Sequence, residues 1–479
     1  MEYILKGYEP ENLFRYFEEI SAIPRGSGNE KGIADYLVAF AKARGLKYYR
    51  DEMQNVAIFR PASPGMEDKE PVMLQGHTDM VCEKNNDVQH DFTKDPLKLI
   101  EKNGFLKADG TTLGGDDGAA VVMMMAILED KDLKAPAIEC LFTVQEETGL
   151  GGAKHFDYKK LSACRIINLD SECEGVATAS CAGSMNTTFV FSPKRLPFAG
   201  QSVKVSVSGL AGGHSGGDIH LGRKNAILLL ADLLSALYDK EPFNLVSISG
   251  GSKRNAIPRE AEAVNAVEDR DAAIDEINKV AANIYPILVK EDKKLKIRAS
   301  RCAKPTDMTS YRDTSKMLSF LSLLPNGVIG MSASVKGLVE TSSNLGIART
   351  GEQFTFDVYT RSSVESEADA VYIKLKRLAK ETDAELLLLD REAGWTFNPD
   401  SKLQKDYLRV YSEMFPDAPA PRVEAIHAGL ECGIILEGLG KGDAISIGPN
   451  MRDIHSPAET LDLRSVERTY RLLRALVQI

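Results

Sequence analysis

The sequence predicts an α/β fold, with a mostly parallel sheet covered by helices on both faces and interrupted by an inserted α+β domain. Three observations predict it. The first third alternates short apolar runs with amphipathic helical stretches, as a parallel sheet with crossover helices requires. Near residue 187 the texture changes to strict apolar/polar alternation, the mark of half-exposed strands. After about residue 394 the helix-and-strand pattern returns. A chain of 479 residues exceeds what one ordinary core supports. The expected division is therefore 1–186 with 395–479 as one domain and 187–394 as the insert.

The elements follow in order. Residues 11–22 and 28–45 have helical periodicity. VMLQ, inside Pro71–Val81, is an apolar strand that runs into GHTD. Gly118–Glu129 reads as a buried helix entered through a glycine-rich turn. Ala137–Gln145 is a strand ending at EETG, and Arg165–Leu169 a strand ending at DSE. In open sheets of this kind ligands collect beyond the carboxyl ends of the strands, and the unusual polar residues fall there. In the insert, NTTFVFS and SVKVSVSG alternate as strands. GLAGGHSGGDIHLG and a helix from about Asn225 to Tyr238 follow. Residues 271–290 and 366–381 read as helices, and GVIGMSASVKG, FTFDVYT and AELLLL as strands. SVKVSVSGLAGGHSG and MSASVKGLVETSSNLG share a texture that suggests an internal duplication. The only tryptophan, Trp395, marks the return to the first domain.

Composition narrows the function. An apolar fraction of 43% with 27% charged residues is that of a soluble globular chain. The net charge of −10 gives no electrostatic reason to bind nucleic acid or an anionic membrane. No stretch approaches the roughly 18 apolar residues of a membrane span. The first residues, MEYILKGYEPENLFRYFEE, do not read as a signal peptide. Seven dispersed cysteines without a CxxC pair read as reduced thiols, so a cytoplasmic location is expected.

Five short motifs carry chemistry. GHTD offers His77 and Asp79. A carboxylate behind an imidazole would fix its tautomer and strengthen it as a metal ligand, although alone the motif reads first as a structural histidine. LGGDDGAA offers Asp116 and Asp117 at a helix start, where a capping role is the plain alternative. QEETG places Glu146 and Glu147 after a buried strand. One could bind metal while the other acts as general base on a metal-held water. INLDSE adds Asp170, and GPNMRDIHSP adds His455. Together they supply imidazole nitrogen and carboxylate oxygen, the donor set of zinc, cobalt or manganese.

The order GHTD, GGDDG, QEETG, LDSE, IHSP resembles the M20 metallopeptidase family, in its aminoacyl-histidine dipeptidase branch. GGHSGGDIHLGRKNA, RNAIPREA, LVETSSNLG, TRSSVES and IHAGLECG extend the resemblance over nearly the whole chain. The resemblance implies two divalent ions, zinc first. His77 and Asp170 would hold one, Glu147 and His455 the other, and Asp116 would bridge them. Asp79 would orient His77, and Glu146 would be the general base. It also implies a cis bond between Asp116 and Asp117. Asp117 would not ligate, and its charge needs a counterweight that the sequence does not name. The insert becomes a lid domain whose His214 stabilises the oxyanion. Asn255 and Arg361 would bind the substrate backbone and terminal carboxylate, with His427 and Glu431 lining the cleft. The implied activity is cleavage of unblocked dipeptides, including Xaa-His types. A tripeptidase, carboxypeptidase or deacylase of the same family is the alternative. A monomer or homodimer is expected, and doubling of the insert would let His214 act within its own chain.

Overall fold

The structure, a computed structural model, describes residues 3–479. It divides into two compact units. The first comprises residues up to Ser180, Phe397–Ala425 and Leu430–Ile479. The second comprises Cys181–Thr396 and Ile426–Gly429. The chain passes between them a few residues from 186 and 395, and four residues of the IHAGLECG motif join the second unit.

The first unit is built on an eight-stranded sheet. Its central strands, Val72–His77, Ile138–Thr143, Arg165–Asn168 and Asp443–Ser446, are parallel. The pair Lys47–Arg50 and Val56–Arg60 is added antiparallel at one side. Successive strand residues point to opposite faces, and both faces are covered. Val72, Leu74, Ile138, Cys140 and Phe142 enter the main core with the helices Glu11–Ser21, Lys31–Ala43, Gly115–Glu129 and Leu463–Leu476. On the opposite face Gln75 and Thr143 meet Glu431, in the first turn of the helix Glu431–Leu439. The sheet thus has the α/β character that the apolar runs predict. Strands buried on both faces have no polar face to alternate with, and all six residues of VMLQGH are buried.

The second unit carries a nine-stranded sheet whose pairings are antiparallel. Its core includes one side of the helices Ala226–Lys240, Arg270–Ile284, Tyr311–Leu323 and Glu365–Thr382. The longest strand, Val339–Thr350, was not expected, because VETSSNLG reads as a polar turn. Its hydroxyls are satisfied across the sheet: Thr341 pairs with Ser362 at 2.9 Å and Ser343 with Thr360 at 3.4 Å. Buried hydroxyls with such partners sit in a strand at little cost. Trp395 is buried and exchanges both backbone hydrogen bonds with Cys181.

Candidate metal centre

The five motifs of the first unit converge. His77 is the last residue of its strand and is 1% exposed. Its Nε2 lies 2.9 Å from Asp116 Oδ1 and 3.7 Å from Asp170 Oδ1. Asp116 precedes the regular part of the helix that starts at Gly115, in extended backbone, and the peptide bond from it to Asp117 is cis. Its second oxygen, Oδ2, lies 3.1 Å from His455 Nε2, which also lies 3.1 Å from Glu147 Oε1. The donors form three overlapping groups, His77/Asp116/Asp170, Asp116/Glu147/His455 and His77/Glu146/Glu147, with donor atoms within 4.8 Å of one another in each. Asp116 belongs to the first two, one oxygen facing each histidine.

Asp79 is fully buried behind His77. The His77 Nδ1 lies 3.4 Å from Asp79 Oδ1 and 3.2 Å from the Asp79 carbonyl oxygen, so side chain and backbone both hold the ring. The same carboxylate accepts Ser27 Oγ at 2.7 Å and the backbone N–H groups of Glu146 and Glu147 at 3.1 and 3.4 Å. Asp79 thereby links the His77 turn to the turn that carries the paired glutamates.

Negative charge dominates the cluster. Burial raises the Glu146 carboxyl well above the usual carboxylate range, with Asp170, Glu431 and Glu147 adding to it. Burial also pushes Asp170 up, to about 7. Burial opposes protonation of His77, but bonds to Asp116, Asp170 and Asp79 overcome it and raise the imidazole. His455 is raised to about 10 by Asp116 and Glu147. Buried carboxylates in this number require compensating positive charge. Divalent cations would meet that requirement, since the donor atoms present suit them.

Two residues outside the sequence candidates shape the site. Arg25 is 2% exposed. Its guanidinium donates to the carbonyls of Thr78, Asp79 and Gly114, clamping the loop after His77 to the loop before Asp116. The charges of Glu459, Asp79 and Asp117 act on it in turn, yet burial first, then Asp170, still raises the Asp117 carboxyl well above the usual carboxylate range. Asp117 turns to backbone, accepting the N–H groups of His77 and Ala120, both at 3.3 Å. Glu459, four residues after His455, accepts the N–H groups of Leu113, Gly114, Gly115 and Asp116 at 2.7, 3.1, 2.8 and 3.4 Å. Glu431 is fully buried and accepts Gln75 Nε2 and Thr143 Oγ1. It thereby supports the strand ends, while its other oxygen, Oε1, has no hydrogen-bond partner and its charge acts on the buried Glu146.

The second unit gathers its own polar cluster. His214 Nδ1 accepts the N–H groups of Gly216 and Gly217 at 3.3 and 3.0 Å. In a neutral ring the proton is then on Nε2. Burial and Arg361 hold this imidazole below its ordinary pKa. Its Nε2 lies 3.4 Å from Arg361 Nη2, so two donors stand side by side. Arg361 is buried, and its Nε has no hydrogen-bond partner. His427 Nε2 bonds Ser342 Oγ at 2.7 Å. A Cβ on Gly216 would stand 2.2 Å from the His427 carbonyl, which is why small residues occupy this turn. The Asn255 side chain is exposed, and its carbonyl accepts the Ser215 N–H.

Comparison with known proteins identifies the family. The description "Peptidase family M20/M25/M40" matches residues 73–479. The chain belongs to this family. It is an enzyme, a peptidase of the M20 type. Among its relatives is the cytosol non-specific dipeptidase of Escherichia coli strain K12. The two are 35% identical over 484 aligned positions, covering 99% of this chain and 98% of the relative. The aminoacylhistidine dipeptidase of Vibrio alginolyticus superposes with a TM-score of 0.91 at 34% identity, covering 98% of this chain and 97% of that one. The aminopeptidase PepT of Bacillus cereus shares the fold at 15% identity, with a TM-score of 0.56 over 98% of each chain.

Proposed function

We propose that the protein is a di-metal dipeptidase that cleaves the peptide bond of unblocked dipeptides, Xaa-His types included. The observation that carries this reading is the pair of donor triads sharing Asp116; Glu146, grouped with His77 and Glu147, stands beside both and is free to act as the base. The whole-length similarity to the two dipeptidases supports the substrate class.

In this reading His77 and Asp170 would hold one divalent ion and Glu147 and His455 the other, with Asp116 available to both. Zinc, cobalt or manganese fits the donors. Such ions would supply Lewis acidity for the scissile carbonyl and for the attacking water. Glu146 takes the proton from that water as it attacks and returns it to the leaving amine. Asp79 keeps the His77 ring and the Glu146 backbone in register. The second unit acts as the lid. The His214 Nε2–H donates to the developing oxyanion, and Arg361 takes the terminal carboxylate through charge-assisted hydrogen bonds. Asn255 binds the substrate backbone, and His427 borders that position. The nine-stranded sheet is the doubled form that lets His214 serve its own chain, in a monomer or homodimer. No helix among the described residues is long and apolar enough to cross a membrane, and a cytoplasmic location fits the cytosol dipeptidase relative.

The test is hydrolysis of Ala-His, β-Ala-His, Gly-Gly, a tripeptide and an N-acetyl amino acid by chelator-stripped protein, before and after metal is restored. Metal-dependent cleavage confined to dipeptides is the expected result. Cleavage of only the tripeptide or the acetylated compound would assign the same centre to another branch of the family.

A further inference from the structure

A cavity of about 450 Å³ opens beside the metal-ligand cluster and shares Glu147 with it. Its walls include Met80, Val81, Cys82, Phe92 and Thr93. Met80 and Val81 directly follow the GHTD turn. Phe92 comes from the next loop, where its ring stands edge-on to His90 at 4.5 Å between centroids. Lys84 ties that loop to the His90 carbonyl at 2.7 Å, and the Asp91 carboxylate closes its turn on Thr93. No lysine, arginine or histidine lines the cavity among the described residues, and its one charged wall is Glu147.

We propose that this cavity receives the side chain of the substrate's N-terminal residue and makes the enzyme selective for apolar side chains there. The inference rests on the dipeptidase reading. In a dipeptide the scissile carbonyl belongs to the N-terminal residue, so its Cα is one bond, about 1.5 Å, from the carbon held at the metal-ligand cluster. The side chain on that Cα must enter a space bordering the cluster. This cavity borders it at Glu147, and apolar walls favour an apolar occupant. Aspartate and glutamate side chains find no lysine, arginine or histidine on these walls to pair with, so they are disfavoured. Val81 and Phe92 set the size and character of the space and take no part in the chemistry.

The experiment measures kcat/KM for Leu-Gly, Gly-Gly, Asp-Gly and Lys-Gly with the metal-loaded wild type, Phe92→Ala, Phe92→Asp and Val81→Trp. Matched leucine and glycine pairs of a tripeptide and an N-acetyl amino acid are included. For the wild type, Leu-Gly exceeds Gly-Gly by about tenfold or more, the size of effect an apolar pocket gives. Phe92→Ala lowers that ratio several-fold, and Val81→Trp lowers it by filling the space. Phe92→Asp raises Lys-Gly against Leu-Gly. The Gly-Gly rate of each protein is its own reference, since glycine places nothing in the pocket. Equal leucine-to-glycine ratios in wild type and all variants would overturn the pocket assignment, as would equal loss on every substrate. If instead only the acetylated or tripeptide pairs are cleaved, the dipeptidase reading fails. The same leucine-to-glycine ratio within the cleaved pair then still decides the pocket.

Discussion

Replacing Glu459 by alanine is expected to damage the metal centre without touching a ligand. The carboxylate accepts four backbone N–H groups from the loop that delivers Asp116, three of them at 3.1 Å or less. Hydrogen bonds to a charged group contribute about 1.5–3 kcal/mol each. Water entering the space left by the side chain recovers part of that, so the full sum overstates the loss. Removing one partner from a buried charged arrangement costs about 3–5 kcal/mol, and a loss near 4 kcal/mol is predicted. Guanidinium denaturation of metal-free Glu459→Ala measures it. Isothermal titration with zinc should show affinity reduced about 10- to 100-fold, the usual effect of losing a group that supports a ligand. Glu459→Gln, which keeps an acceptor oxygen, should recover part of both. Wild-type stability together with wild-type zinc affinity in Glu459→Ala would refute the reasoning.

Three further outcomes follow from particular contacts. A Cβ at Gly76 would stand 2.5 Å from both Ala120 Cβ and Asp117 Oδ2. Gly76→Ala should therefore destabilise by about 1–3 kcal/mol, as overpacking does, and lower Tm. Burial first, then Arg361 and His214, lowers His427 to about 4 from an ordinary 6.5. A histidine depressed on folding takes up protons preferentially in the unfolded chain, so its stabilising contribution is present above about pH 6.5 and declines as pH falls towards 4. NMR should show the His427 ring neutral down to about pH 5, and a midpoint near 6.5 would contradict the geometry. If His214 serves its own chain, mixing Glu146→Ala with His214→Ala protein restores no activity, whereas about a quarter to half of wild-type rate would return if it served a neighbour.

Much of the site could be read from the sequence, because its residues lie at the carboxyl ends of buried strands, where apolar runs break into short polar motifs. His77, Asp116, Asp170, Glu147 and His455 were each weak alone, and their order made them specific. What escaped was the support. Arg25 donates only to carbonyl oxygens, and Glu459 accepts only backbone N–H groups. Backbone partners leave no trace in residue identity, so both read as surface charges. The strand Val339–Thr350 escaped because its hydroxyl-rich stretch hides its partners on another strand. The helix Glu431–Leu439, which begins inside the IHAGLECG motif, also escaped, because the glycines of that motif read as a loop.

The central claim is a two-ion centre in which Glu146, beside the ligand Glu147, serves as the base and not as a ligand. Its most direct test is zinc titration of chelator-stripped wild type and Glu146→Ala, with Ala-His hydrolysis followed at each addition. Both proteins should bind two ions per chain, and activity should rise with occupancy only in the wild type. Loss of the base should lower kcat by about 10²–10⁴-fold. One ion per chain, or a fully loaded Glu146→Ala protein that hydrolyses Ala-His at the wild-type rate, would contradict the account.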